Sequence, residues 1–315
     1  MAEALRPMST SELLDRTFTL YRRNFLLFAG IASIGPAAYL LFQLMLVGAA
    51  GMPAGRTPAR TAWAGASIGI GFVVGALVML AGMALSQAAT VKAVAAVHLG
   101  RETTIGGAYR SLKGRIPRIL GIFFTVTLLI VGGGIVLLAL ASLITVLAVG
   151  GGMKAGTGFG IAGGIVGLVV IVAAAIGAVT IFVRYSLAVQ ACVVEDLKIR
   201  PSLKRSAFLS KGSRSRILTV YTVFVVLSWI VAFGLVMLTS MLAAITGPGI
   251  PALIATYLAS FLSGVLTGPL ATIGMSLVYY DERVRKEAFD LQLIMAGLDT
   301  PAAAPAAAPA SAGLQ

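Results

Sequence analysis

The chain of 315 residues is 11% charged and 58% hydrophobic, with a mean hydropathy of +0.98, whereas about one-quarter of a soluble domain is charged. That composition excludes an ordinary soluble domain and points to a membrane protein. The net charge of +13 would suit nucleic acid, but no aromatic-interleaved basic face or nucleic-acid motif accompanies it, so nucleic acid is excluded as a partner. One cysteine, Cys192, and one histidine, His98, exclude a disulfide framework and a zinc-ligand spacing.

Residues 1–24 form a polar leader. Ser9 and Glu12 are spaced as a capping box, and Leu14, Phe18, Tyr21 and Phe25 share one side, so a helix is expected along the inner membrane surface. Arg22 and Arg23 close it where the first apolar run begins. Six apolar stretches follow, at roughly 25–49, 63–91, 119–149, 159–183, 217–246 and 251–280, each reaching the ~20 residues that cross about 30 Å of hydrocarbon. Residues 25–280 are therefore expected to be an all-α integral membrane domain of six transmembrane helices. The first run is longer than the core of a cleavable signal and reads as an uncleaved span. The third is longer than needed. The fourth continues apolar past Arg184 to Val194, so tilt or an extension lying on the surface absorbs the excess.

The basic residues orient these spans. Of the 24 Lys and Arg, 21 lie before the first span, from Lys92 to Arg118, from Arg184 to Arg216, or from Arg283 to Lys286. Only Arg56, Arg60 and Lys154 fall in the other connections. The positive-inside rule then places both termini and the two long loops in the cytoplasm, as an even number of spans requires.

Each long loop ends in the same polar knot, KGRIPRIL from Lys113 and KGSRSRIL from Lys211. Gly114 and Gly212 fit the left-handed residue that ends a short helix, and Lys113 and Lys211 face its negative end. Arg118 and Arg216 are expected at the headgroup level, with Ile-Leu entering the hydrocarbon. TTIGGAYRSLKG and PSLKRSAFLSKG precede the knots, and STSELLDRTFTLYRRN precedes the first span in the same role. The chain thus reads as three repeated two-span units, each a short interfacial cytoplasmic helix followed by a hairpin, at a period of about 95 residues. A pseudo-threefold bundle would follow, although similar junctions in any positive-inside hairpin account for part of the likeness. After the last span, residues 281–298 put Val284, Ala288, Leu291 and Met295 on one stripe, with Asp281–Arg285 and Glu282–Lys286 as i, i+4 pairs. This second cytoplasmic helix packs on the bundle or recognises a partner or anionic lipid through Arg283, Arg285 and Lys286. Residues 299–315 are an Ala/Pro tail expected to be disordered.

Candidate sites are few. Gly158, Gly160 and Gly163 match a dinucleotide pattern, but no strand precedes them and no acidic residue follows at the required distance. Gly160 with Gly164, Gly163 with Gly167, Gly65 with Gly69 and Gly264 with Gly268 suit close helix packing instead. Arg184 is either an intramembrane ion with a function or an anchor at the inner interface, with YSLAVQACVVED running along the surface. Gln43, Gln87 and Gln190 suit hydrogen bonding between helices, and Pro36 and Pro269 kink the first and last spans. All eleven Asp and Glu lie in the segments assigned to the cytoplasm, and none forms a hydrolase or metal spacing with His98, so no catalytic residue, metal or cofactor is assigned.

ELLDRTFTLYRRNFLLFAGI, RYSLAVQACVVEDLKIRPSLKRSAFLSKG and YYDERVRKEAFDLQLIM together resemble the bacterial membrane domain found beside the catalytic barrel of some glycerophosphoryl diester phosphodiesterases. In that family a proline is expected near Gln190, so this site is atypical. The resemblance implies a six-span module of the bacterial plasma membrane. The catalytic barrel needs about 250 residues, for which the spans leave no room, so the diesterase activity does not carry over. The expected function is a non-catalytic scaffold or accessory module for a lipid-related or membrane-associated protein, with the lipid bilayer, anionic lipid and a second copy as further partners. The alternative is a permease or a lipid or small-solute transporter using kinked spans and Arg184.

Overall fold

The computed structural model describes residues 7–50, 58–98, 100–155, 157–247 and 249–287. The protein is an all-α polytopic membrane protein, and six of its helical stretches are long and apolar enough to span a bilayer. Helix α1 (Thr10–Arg23) is closed by the capping box, in which the Ser9 hydroxyl accepts from the Glu12 amide at 3.2 Å and the Glu12 carboxylate accepts from the Ser9 amide at 2.7 Å. The first span is α2 (Phe25–Ala32) with α3 (Ile34–Ala50), and the second is α4 (Pro58–His98). Short α5 (Ile105–Arg110) leads to the third span, in which α6 (Ile116–Thr127) joins α7 (Gly133–Ala155) through a π turn at Leu128–Gly132. Helix α8 (Thr157–Tyr185) returns, followed by short α9 (Ala188–Val194) and α10 (Ile199–Ser210). The last hairpin is α11 (Arg214–Thr246) with α12 (Ile250–Glu287).

The first break has a local cause. Pro36 offers no amide to the carbonyl of Ala32, four residues back, and the helix turns at Ser33. The Ser86 hydroxyl from α4 covers that carbonyl at 3.2 Å, and the Tyr109 hydroxyl donates to the neighbouring Ile31 carbonyl at 2.6 Å.

The most extensive packing is within three antiparallel pairs: α3 with α4, α7 with α8, and α11 with α12. Each short helix leading into a hairpin docks on the preceding hairpin. Helix α5 lies on α2 and α4, α10 on α8 and α9, and α1 on α12 and α11, which closes the order into a ring. Helix α12 is the hub, touching α1, α2, α3, α4, α9, α10 and α11. Its 38 residues measure about 57 Å at 1.5 Å per residue, well over the ~30 Å of hydrocarbon, so its last turns stand clear of the membrane. The main core lies at this end of the bundle, where Leu13, Phe28, Val94, Ile119, Leu187, Leu209, Ile217 and Tyr279 meet. Farther along, the spans turn Leu, Ile, Val and Phe outward, as lipid-facing helices must.

Two expectations need correction here. The stretch after Arg184 does not run along the surface: Ala188 to Val193 are all buried, because the chain turns at Ser186 and α9 tucks beneath the bundle against α4, α6 and α10. Nor is the segment from Asp281 a separate helix, since α12 runs unbroken from the last span to Glu287. Residues 288–298, with Ala288, Leu291 and Met295, and the tail 299–315 lie outside the described residues.

Candidate functional site

At the end of the bundle that carries α1, α5 and α10, charged side chains converge on the last turns of α12. The Asp281 and Glu282 side chains are 0% and 1% exposed. Burying carboxylates so completely demands paired charges and hydrogen bonds. Asp281 forms ion pairs with Arg216 and with Arg285, the latter at 2.7 Å, and accepts from the Met8 amide at 2.6 Å. Glu282 pairs with Arg216 at 3.4 Å and Lys286 at 3.3 Å, and accepts from the Ser213 hydroxyl at 2.6 Å. The Met8 carbonyl closes the cluster, accepting from Arg216 at 2.8 Å and Arg285 at 2.6 Å.

A second cluster lies beside it. Arg205 bridges Glu195 at 2.8 Å and Glu287, Arg283 lies 3.6 Å and 3.4 Å from the same two acids, and Tyr279 donates to Glu195. The hydrogen bonds that Arg205 donates to Glu287, opposed by burial and reinforced by Glu195, hold its guanidinium above its already high ordinary range. Lys286 also caps α10, donating to the carbonyls of Phe208, Leu209 and Lys211, the last at 2.7 Å.

The two knots turn out to share a geometry. Gly114 and Gly212 sit at φ +82° and +87°, the left-handed conformation that ends α5's turn and α10. The third and sixth residues of each knot then reach the acids that end the same hairpin: Arg115 and Arg118 to Asp196 at 3.3 Å and 2.7 Å, Ser213 and Arg216 to Glu282 and Asp281. Ile119 and Ile217, which follow these arginines, are 2% and 0% exposed and join the main core instead of entering lipid. Arg118 and Arg216 are thus clasps within their own hairpins. The sequence held one signal for this: VVED before the third unit and YYDE on α12 put acids in matching places.

The remaining expected residues are scattered. Arg22, Arg23, Lys113 and Lys211 are exposed, and their side chains form no ion pair among the described residues. Arg184 is exposed at the end of α8, its guanidinium 5.7 Å from the Tyr185 ring, while its carbonyl accepts from Ser206 at 2.8 Å. His98 stacks on Tyr280 at 5.3 Å. Gly264 meets Pro36 and Gly167 meets Thr145, whereas Gly69, Gly164 and Gly268 face open space; the packing of Gly65, Gly160 and Gly163 lies outside the described residues. The glutamines do not bond as expected: the side-chain oxygens of Gln43, Gln87 and Gln190 are enclosed without a hydrogen-bond partner. Among the described residues, no three His, Cys, Asp or Glu side chains form a metal cluster.

A cavity of about 500 Å³ lies between the first and last hairpins. Pro36 and Pro269 both line it, together with Tyr39, Ser86, Gln87 and Ser263; the first span breaks at Ser33 ahead of Pro36, whereas α12 continues through Pro269 as one helix. Nothing in the sequence separates these side chains from others packed between helices.

Six spans tied at one end by buried ion pairs define an all-α polytopic membrane protein. No family model, curated protein or solved structure matches the chain.

Proposed function

We propose that the protein is a non-catalytic module of the bacterial plasma membrane that presents a cationic cytoplasmic plate, built from its three short helices, to anionic lipid and to a membrane-associated partner. One observation carries this reading: at the charged end the acids turn inward and the surplus cations turn outward. Glu195, Asp281, Glu282 and Glu287 are consumed in ion pairs. Arg22 and Arg23 on α1, Arg101, Arg110 and Lys113 around α5, and Lys198, Arg200, Lys204, Lys211 and Arg214 around α10 are exposed, against Asp15, Glu102 and Asp196. Each cation beside an anionic leaflet contributes about 1 kcal/mol of attraction. The positive-inside rule puts this plate and both termini in the cytoplasm. The resemblance to the membrane domain beside glycerophosphoryl diester phosphodiesterase barrels supports a lipid-related partner. Arg283 and Lys286, bound inward, contribute to holding the plate rather than to its outer charge.

The test replaces Arg22, Arg23, Lys198, Arg200 and Lys204 together with Gln. In nanodiscs of mixed phosphatidylcholine and phosphatidylglycerol, native mass spectrometry is expected to show phosphatidylglycerol retained by the wild type and lost from the variant, with co-purifying protein lost in parallel. Equal retention of lipid and partner would refute the plate. A second reading, a carrier of small amphiphiles, is favoured by the cavity that Pro36 of the first span and Pro269 of the last both line; flux in proteoliposomes measures it.

A further inference from the structure

We infer that Lys92, Arg115 and Arg118 form a binding site for a phosphomonoester group at the cytoplasmic boundary of the membrane. The site rests on the plate reading for the leaflet it faces, but none of its three cations belongs to the plate's outward surplus. Helices α4, α6 and α9 pack against one another and bring the groups together. Arg115 Nε and Arg118 Nη1 lie 3.3 Å and 2.7 Å from the same Asp196 oxygen, and the Lys92 ammonium is within electrostatic reach of Arg115 and Asp196. Lys92 follows the apolar run that ends at Val91, and Arg115 directly precedes the span that begins at Ile116. Arg118 lies one turn further in and is long enough to reach back, so all three cations stand at the level of lipid phosphates.

The clasp of the second hairpin is built like that of the third, but its charges do not balance. In the third, the buried Asp281 and Glu282 meet Arg216, Arg285 and Lys286, and the Met8 carbonyl accepts from both arginines. In the second, Glu195 turns away to Arg205, Arg283 and Tyr279. Asp196, 47% exposed, is left alone against Lys92, Arg115 and Arg118. Three positive charges against one negative leave a surplus of two. Donors are spare as well. Among the described residues the Lys92 ammonium and the Arg115 guanidinium donate no hydrogen bond, and the Arg118 guanidinium donates only through Nη1, to the Asp196 carboxylate and carbonyl. Like charges held together on packed helices repel one another until an anion joins them. A phosphomonoester brings about −1.5 to −2 at neutral pH and three acceptor oxygens, which arginine forks match. A phosphodiester brings a single charge and fewer free oxygens. Ile116, 39% exposed beside Arg115, offers apolar surface for an acyl chain.

The test places the full chain in phosphatidylcholine nanodiscs with equal, rising shares of phosphatidic acid, a phosphomonoester, and phosphatidylglycerol, a phosphodiester. Native mass spectrometry counts the lipids retained. The wild type is expected to keep one phosphatidic acid at shares where phosphatidylglycerol is lost. Arg118→Gln should raise the half-saturating share about tenfold, the worth of one charge-assisted hydrogen bond. Adding Lys92→Gln and Arg115→Gln should abolish this retention, whereas the five-residue plate variant should keep it. Asp196→Asn lifts the repulsion of a nearby like charge and should lower the half-saturating share about fivefold, a gain that a folding defect would not produce. Added inorganic phosphate separates the two sources of the group. Phosphatidic acid that it displaces marks a site open to soluble phosphate, phosphatidic acid that stays marks a lipid site, and either result supports the inference. Equal retention of the two lipids by the wild type, or unchanged retention in the triple variant, would overturn the site and leave the plate standing. Loss of phosphatidic acid from the plate variant alone would overturn it too, by assigning that lipid to the plate.

Discussion

Arg118 and Arg216 occupy the same position in the two knots, yet removing them should have very different consequences. Arg216 is 15% exposed and faces carboxylates that are 0% and 1% exposed. In Arg216→Met, Asp281 keeps Arg285 and the Met8 amide, and the Met8 carbonyl keeps Arg285. Glu282 fares worse: one oxygen retains Ser213 and Lys286, while the other loses Arg216. Breaking a buried pair by removing one partner costs 3–5 kcal/mol. With two cations left in place the loss should fall at the low end, about 3 kcal/mol. Arg118 and Asp196 are 33% and 47% exposed, so solvent screens their pair and Arg118→Met should cost less than about 1 kcal/mol. SDS unfolding in mixed micelles, followed by far-ultraviolet circular dichroism, measures both. Adding Glu282→Gln to Arg216→Met removes the stranded charge and should restore about half of the loss. Equal, small losses for Arg118→Met and Arg216→Met would show that the buried acids on α12 are not held by this clasp.

Gly212→Ala and Gly114→Ala should each destabilise by about 1 kcal/mol in the same assay, from the left-handed backbone alone, because no atom lies within 4 Å of an added Cβ at either site. Tyr109→Phe removes the hydrogen bond to Ile31 and should cost about 1 kcal/mol. Burial pushes the Tyr109 hydroxyl up to about 12 from an ordinary value of 10.0. Because the folded value is the higher one, the stabilisation is complete below pH 10 and falls away as pH rises towards 12; Tyr109→Phe should show a smaller alkaline loss than the wild type. For orientation, Lys113→Cys and Lys211→Cys should resist a membrane-impermeant maleimide in intact cells and react after permeabilisation, whereas Gly249→Cys should react in both. The opposite pattern would invert the assigned topology.

The six spans, the capping box and the glycine stops were legible because each depends on residues close in sequence: a long apolar run, Ser9 with Glu12, Gly212 after Ser210. The i, i+4 pairs at Asp281 and Glu282 were legible for the same reason. What Arg216 faces was not. Its partners lie 65 and 66 residues away, and a Lys/Arg count at a membrane boundary gives the same total whether an arginine points to headgroups or to a buried acid. The burial of α9 was hidden by its own composition, since an all-apolar stretch reads alike against lipid and inside a core. Gln87 illustrates the same limit for the cavity. A polar residue on a span suits a neighbouring helix or a void, and only the positions of α3, α11 and α12 decide between them.

The ring of docked short helices explains why STSELLDRTFTLYRRN, the leader of the first unit, lacks the Lys-Gly knot that ends the other two. Helices α5 and α10 lead into hairpins clasped by side chains, through Arg115 and Arg118 or Ser213 and Arg216, so their knots must keep particular residues. Helix α1 closes the ring against the third hairpin. It does so partly with rings, Phe18 lying 5.8 Å from Phe224, and with the Tyr21 hydroxyl on the Leu266 carbonyl at 2.8 Å. The polar seam is made by backbone: the amide of Met8 to Asp281, and its carbonyl to Arg216 and Arg285. A main-chain amide and carbonyl are supplied by any residue but proline, so this seam places little demand on which letter stands there. A repeat can therefore persist in geometry while fading in sequence where its closing contacts pass from side chain to main chain.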